Sequence, residues 1–229
     1  MNVLFRSAAL ALTLLSAPAL AIGLADLSNK DAVAGMKEAL IKGSQAAVAM
    51  LAKQDGFLGN ERVRIPLPES LHKVEGLMRG LGMGKYADEL VTTMNRAAES
   101  AVVEAKPLLV NAVKNMSVQD VKGILTGGQD AATQYFKRST SAGLTEKFLP
   151  IVRKATQKVK LAEKYNEFAG KGAKFGLIDQ KDADLNSYVT RKALDGLFLM
   201  IADEEKKIRQ DPVGAASGII SKVFGAIGK

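Results

Sequence analysis

The chain has 229 residues, 47% hydrophobic and 24% charged, with 32 Lys and Arg against 24 Asp and Glu for a formal net charge of +8. That apolar fraction suits a folded chain rather than a disordered one. One His and no Cys exclude disulfides, thiol nucleophiles, Fe–S clusters, Cys-ligated zinc and the two-His zinc-protease motif.

Residues 1–21 read MNVLFRSAALALTLLSAPALA. Arg6 and the amino terminus form a positive leader, Ala8 to Leu15 an apolar core, and Ala19-Leu20-Ala21 puts small residues at the cleavage-defining positions. This pattern predicts a secretory signal peptide cut after Ala21. The apolar run is shorter than the ~20 residues of a membrane span, and no Cys follows it to carry a lipid anchor. The expected product is an exported protein, periplasmic in a Gram-negative cell, with residues 22–229 as a single domain and no transmembrane segment.

Beyond the leader the pattern is helical throughout. Ser28 and Asp31 resemble a capping box ahead of Val33, Met36, Leu40, Ala47 and Leu51 at helical spacing. Gly56 and Gly59 mark a loop, and the two prolines of Val63-Arg64-Ile65-Pro66-Leu67-Pro68 force an extended path. Pro68 opens a helix through Leu71, Val74, Leu77 and Leu81, which Gly82 and Gly84 close. A long helical pattern over Lys85–Met116 should be kinked or divided at Pro107. Ser117 and Asp120 cap a short helix closed by Thr126-Gly127-Gly128. The spacing then predicts a short helix over Gln129–Ser139 and a separate one over 144–169, with Pro150 near its start.

Asp182-Ala183-Asp184 leads into a last long helix containing Leu197-Phe198-Leu199-Met200-Ile201-Ala202. A helix apolar on all sides has to be surrounded, so it is expected at the centre of the fold. Asp211-Pro212 closes it, and residues 213–229 form a Gly-rich amphipathic tail. No period-2 strand pattern, hairpin signal or internal repeat appears. The predicted fold is all-α, a single-domain multi-helix bundle.

Several stretches carry a resemblance: VRIPLPESL (63–71), LGMGK (81–85), MNRAAE (94–99), AKPLLV (105–110), GILTGG (123–128), ATQYF (132–136), KALDGLF (192–198) and IRQDPVG (208–214). Together they resemble a proteobacterial family of short exported proteins carrying a helical domain of unknown function. The resemblance implies export and a single helical domain, and it brings no activity, cofactor or catalytic residue with it.

No residue pattern nominates a catalytic centre. His72 has no Ser or Cys tied to it by a motif and reads as a surface or boundary residue. Asp179, Asp182 and Asp184 lack the Gly and Glu positions of an EF-hand loop, and Asp182 or Asp184 fits better as a helix cap. Gly82-Met83-Gly84 and Thr126-Gly127-Gly128 lack the context of a phosphate loop and read as helix stops. No metal and no cofactor is expected. Asn95, Arg96, Glu99, Tyr135, Asp195 and Arg209 are polar groups set among apolar ones. They either form a structural network that fixes helix register or line an interhelical cleft for a small apolar ligand or a hydrolytic reaction.

The charge is concentrated. Segment 137–174 holds ten Lys and Arg against Glu146, Glu163 and Glu167, a surplus of seven, and the rest of the mature chain is neutral in sum. On a continuous helix Lys147, Lys154 and Lys158 share one azimuth, with Arg153, Lys160, Lys164 and Lys171 on an adjacent one. The stripe suits an anionic lipid surface, lipopolysaccharide phosphates or an acidic envelope protein. Nucleic acid is not expected, because the chain is read as exported and shows neither helix-turn-helix nor interleaved aromatics. The functional expectation is a non-enzymatic binding or scaffold protein of the cell envelope.

Overall fold

The computed structural model describes residues 29–176, 179 and 182–211. The predicted signal peptide, the Ser28–Asp31 cap and the tail at 213–229 lie outside the described residues. Every regular element among those described is helical: α1 (Asn29–Ala52), α2 (Glu69–Gly80), α3 (Gly84–Ala101), α4 (Ala105–Lys114), α5 (Val118–Thr126), α6 (Ala131–Thr156), α7 (Lys160–Lys174) and α8 (Leu185–Gln210).

Local chemistry explains most boundaries. Pro107 has no N–H to offer the carbonyl of Val103, and the chain tightens there into a 3-10 turn, Val102–Glu104, between α3 and α4. Ser117 and Asp120 form a reciprocal capping box at the start of α5, and the bonds from Ser117 hold the Asp120 carboxyl below its ordinary range. Asp184 accepts from Ser187 N–H to cap α8. Gly82, at φ +73°, closes α2: its N–H bonds Arg79 O, and Met83 N–H reaches back to Met78 O at 2.8 Å. Gly84 belongs to α3 rather than to that stop.

Two helices differ from the expectation. Gln129–Ser139 and 144–169 are not separate units, because α6 runs unbroken through Ser139, Thr140, Ser141 and Thr145. Each of those hydroxyls bonds the carbonyl four residues back, so polar residues that suggest a turn are absorbed into the helix. Conversely, the predicted helix breaks at 157–159. There Thr156, itself buried, donates to Asn186 Oδ1 at 2.5 Å, and α7 restarts after the buried Val159.

α8 is the central element, lying against α6, α1 and α3, while α6 also packs on α3 and α4. Phe136, Leu144 and Phe148 of α6 and Leu197 of α8 are fully buried in a core shared with Met36, Leu51, Leu90, Met94 and Leu109. Within the six-residue apolar run, Leu197, Phe198, Met200 and Ile201 are buried, but Leu199 reaches solvent. The helix is therefore covered on most sides rather than all. Among the described residues no helix is long and apolar enough to cross a membrane.

Candidate functional site

The six polar candidates do not gather in one place. Asn95, Arg96 and Glu99 form a clamp on α3 that holds the loop between α1 and α2. Fully buried Asn95 accepts from Ile65 N–H at 2.8 Å and donates to Ile65 O at 2.9 Å and Val91 O at 2.8 Å. Glu99 accepts from Phe57 N–H at 3.1 Å and Leu58 N–H at 3.2 Å on one oxygen, and from Arg96 at 2.7 Å on the other. Arg96 also pairs with Asp55, and both carboxylates hold its guanidinium protonated. Tyr188 O–H closes the loop by donating to Pro66 O at 3.1 Å, and burial pushes this phenol up to about 12.

The remaining three lie apart. Tyr135 donates to Ala112 O at 2.9 Å, and burial raises its pKa. It borders an open groove of about 440 Å³ between α5 and α6. Asp195 is exposed, and Arg191, one turn away, pairs with Asp182 instead. Arg209 bonds Glu205 at 2.8 Å and Ile124 O at 3.0 Å.

Sequence reasoning missed Glu205. This buried carboxylate accepts from Ala132 N–H, Thr133 N–H and the Thr133 hydroxyl, so α8 caps the first turn of α6. The i,i+4 spacing of Glu205 and Arg209 was the available signal. The Asp130 side chain, which has the chemistry of a local cap, bonds Gln134 instead.

The basic candidates fall on two helices and the bend between them. Lys147, Arg153 and Lys154 belong to α6, Lys158 to the bend, and Lys160 and Lys164 to α7. The shared azimuth of Lys154 and Lys158 required a continuous helix, so the break at 157–159 turns a stripe into an elbow. Lys164 reaches Glu167 at 3.4 Å. Lys147, Arg153, Lys154, Lys158 and Lys160 are exposed, with no ion pair among the described residues. The Lys171 side chain lies outside the described residues. Arg153 and Lys154 also sit in the last turn of α6, where the helix dipole favours cations. Beside the bend lies an open, polar groove of about 490 Å³ lined by Arg153, Thr156, Gln157, Glu163, Asn166 and Asn186.

His72 is exposed, with Nε2 3.1 Å from Leu67 O. Asp182 pairs with Arg191, and Asp184 caps α8. Among the described residues no three acidic or His side chains gather as a metal-binding group.

A family model described as a protein of unknown function (DUF4197) matches residues 26–225. The chain belongs to that family. No curated protein and no solved structure matches the chain. The matched region takes in α1 to α8, the clamp and the basic elbow. Three of the quoted stretches meet in the clamp: 63–71 supplies the held loop, 94–99 the α3 side chains, and 192–198 the α8 surface at Gly196 against which Phe57 and Val63 pack.

Proposed function

We propose that this chain is an exported, non-enzymatic helical binding or scaffold protein of the cell envelope, which contacts an anionic surface through the elbow of α6 and α7. The carrying observation is the set of exposed cations at Lys147, Arg153, Lys154, Lys158 and Lys160. They are free of ion pairs among the described residues, and no Asp or Glu lies between Lys147 and Lys160 in the sequence. Cations so placed attract phospholipid headgroups, lipopolysaccharide phosphates or an acidic partner, and do so in a salt-sensitive way. Export rests on the leader at 1–21.

The alternative, a carrier or hydrolase with a cleft lined by Asn95, Arg96, Glu99, Tyr135 and Asp195, gains no support from the geometry. The first three hold loop backbone, and the other two lie elsewhere.

Sedimentation of the mature protein with phosphatidylglycerol vesicles, at low and high salt, tests the reading. Binding should be salt-sensitive and should fall at least tenfold in a Lys154→Glu/Lys158→Glu/Lys160→Glu variant. If the natively folded protein shows no salt-sensitive binding to these vesicles or to lipopolysaccharide, the proposal fails. Mass spectrometry of the protein expressed with its own leader checks export, with Ile22 as the expected first residue.

A further inference from the structure

We propose that the turn joining α2 to α3 is a wedge that enters the apolar layer of an anionic phospholipid bilayer while the basic elbow holds the headgroups. This rests on the reading of the elbow given above and names the surface it meets.

Four large apolar side chains stand in solvent at this turn: Leu77 at 66% exposure, Leu81 at 68%, Met83 at 44% and Tyr86 at 42%. Single exposed apolar residues are ordinary, but four within ten residues of one hairpin tip make a patch. Leu77 lies in the last turn of α2 and Leu81 is its C-cap, whose N–H donates back to Leu77 O. The tip is also held in shape. The positive-φ Gly82 and the bond from Met83 N–H to Met78 O fix the turn. Arg79 bonds Glu75 at 2.8 Å and Asp88 at 2.6 Å, tying α2 to α3.

The same ion pairs set the charge of the tip. Arg79 pairs with both Glu75 and Asp88, its one positive charge offsetting one of their two negative ones, and holds the Asp88 carboxyl below its ordinary range. Lys85 lies 5.2 Å from the centre of the Tyr86 ring and takes part in no ion pair among the described residues. A Lys beside a Tyr, next to protruding Leu and Met, is the arrangement favoured where headgroups meet acyl chains.

The tip and the elbow lie at one end of the bundle. The loop before α2 meets Glu99 and Gly196 at Phe57, and Asn95 and Tyr188 at Ile65-Pro66. Moving along the loop thus steps back along both α3 and α8, so these helices run in the same direction. The tip immediately precedes α3, and the elbow is tied to the first turn of α8 by Thr156 and Asn186. An apolar wedge and a cluster of free cations on one end call for a surface with anions outside and hydrocarbon beneath. An anionic bilayer has both layers in that order.

The chain contains no Trp, so a Leu81→Trp variant places a single indole at the tip. With phosphatidylglycerol/phosphatidylcholine vesicles its emission should shift to the blue and be quenched by brominated acyl chains. A Leu77→Ser/Leu81→Ser/Met83→Ser variant, which alters exposed positions only, should keep its helical circular dichroism and lose about tenfold or more in vesicle affinity. Salt-sensitive, elbow-dependent sedimentation with an unmoved indole and an unaffected Ser variant would overturn the wedge and leave the elbow reading intact. A blue shift that survives elbow charge reversal would support the wedge and remove the elbow reading. A shift that appears without vesicles as protein concentration rises would mark a contact between copies of the chain and overturn the wedge.

Discussion

Asn95 pairs with both backbone groups of Ile65, so a side-chain amide from α3 stands where a neighbouring strand would otherwise be. The two prolines at 66 and 68 keep this loop extended, and Ile65 is buried. An extended buried peptide with no strand beside it needs another partner, and carboxamide geometry reproduces that of the peptide. Asn95→Ala should therefore destabilise the fold by about 2–5 kcal/mol, the cost of leaving one donor and one acceptor buried without partners. Asn95→Asp, which keeps the acceptor and loses the donor, should also destabilise. Urea unfolding measures both; an Ala variant within 0.5 kcal/mol of wild type, roughly the size of a neutral surface change, would contradict the role of the clamp.

Gly196 tests the same contact from the α8 side. A Cβ there would fall 2.8 Å from Phe57 Cε1 and 3.2 Å from Val63 Cβ, and Phe57 is fully buried. Overpacking of this kind costs about 1–3 kcal/mol, more than the ~1 kcal/mol that Ala gains over Gly in a helix. Gly196→Ala should lower the unfolding midpoint. Gly123→Ala, at an α5 position with nothing within 4 Å of the added carbon, should leave it unchanged or raise it. Opposite signs for these chemically identical changes are the expected result.

What could be read from the sequence was local. Ser117, Asp184, Gly82 and Pro107 act on residues within one or two turns of themselves, and each marks its boundary where expected. The continuity of α6 was hidden because Ser139, Thr140 and Ser141 satisfy their hydroxyls on the helix itself, which composition alone does not reveal. The elbow was hidden because the periodicity of Lys147, Lys154 and Lys158 runs through the break at 157–159, which lies beside the tertiary bond from Thr156 to Asn186. Of the site, the i,i+3 pairing of Arg96 with Glu99 was legible, but the partners of Asn95 and Glu99 lie 30 and 42 positions away. Those distances are set by packing.

Glu205 is a second long-range device with a measurable signature. It receives three hydrogen bonds from the first turn of α6 and pairs with Arg209 at 2.8 Å. Glu205→Gln replaces one acceptor oxygen by a donor facing other donors and should destabilise by about 2–4 kcal/mol. The Arg209→Met change alone should be smaller, because the capping bonds to Glu205 survive it. Added to Glu205→Gln it should cost less than it does alone, because the bond to Ile124 O is what remains to be lost. A double-mutant cycle by urea unfolding reads this coupling, and full additivity would contradict it.

Tyr188 links the clamp to pH. Its phenol is buried, donates to Pro66 O, and has a pKa pushed up to about 12, against about 10 for an unfolded chain. Between those values the unfolded state releases a proton that the folded state keeps, so the unfolded state binds fewer protons and unfolding becomes easier as pH rises. The stabilisation is complete below about pH 10 and disappears as the pH climbs through about 12. Tyr188→Phe, which strands the Pro66 carbonyl, should be destabilised by about 1–2 kcal/mol at neutral pH. The gap between wild type and variant should narrow above pH 10, while buried Tyr165, also raised by burial, leaves some alkaline sensitivity in both. Urea midpoints of the two proteins at neutral pH and at about pH 11 decide the matter, and a gap that stays constant would show that Tyr188 ionises as readily folded as unfolded.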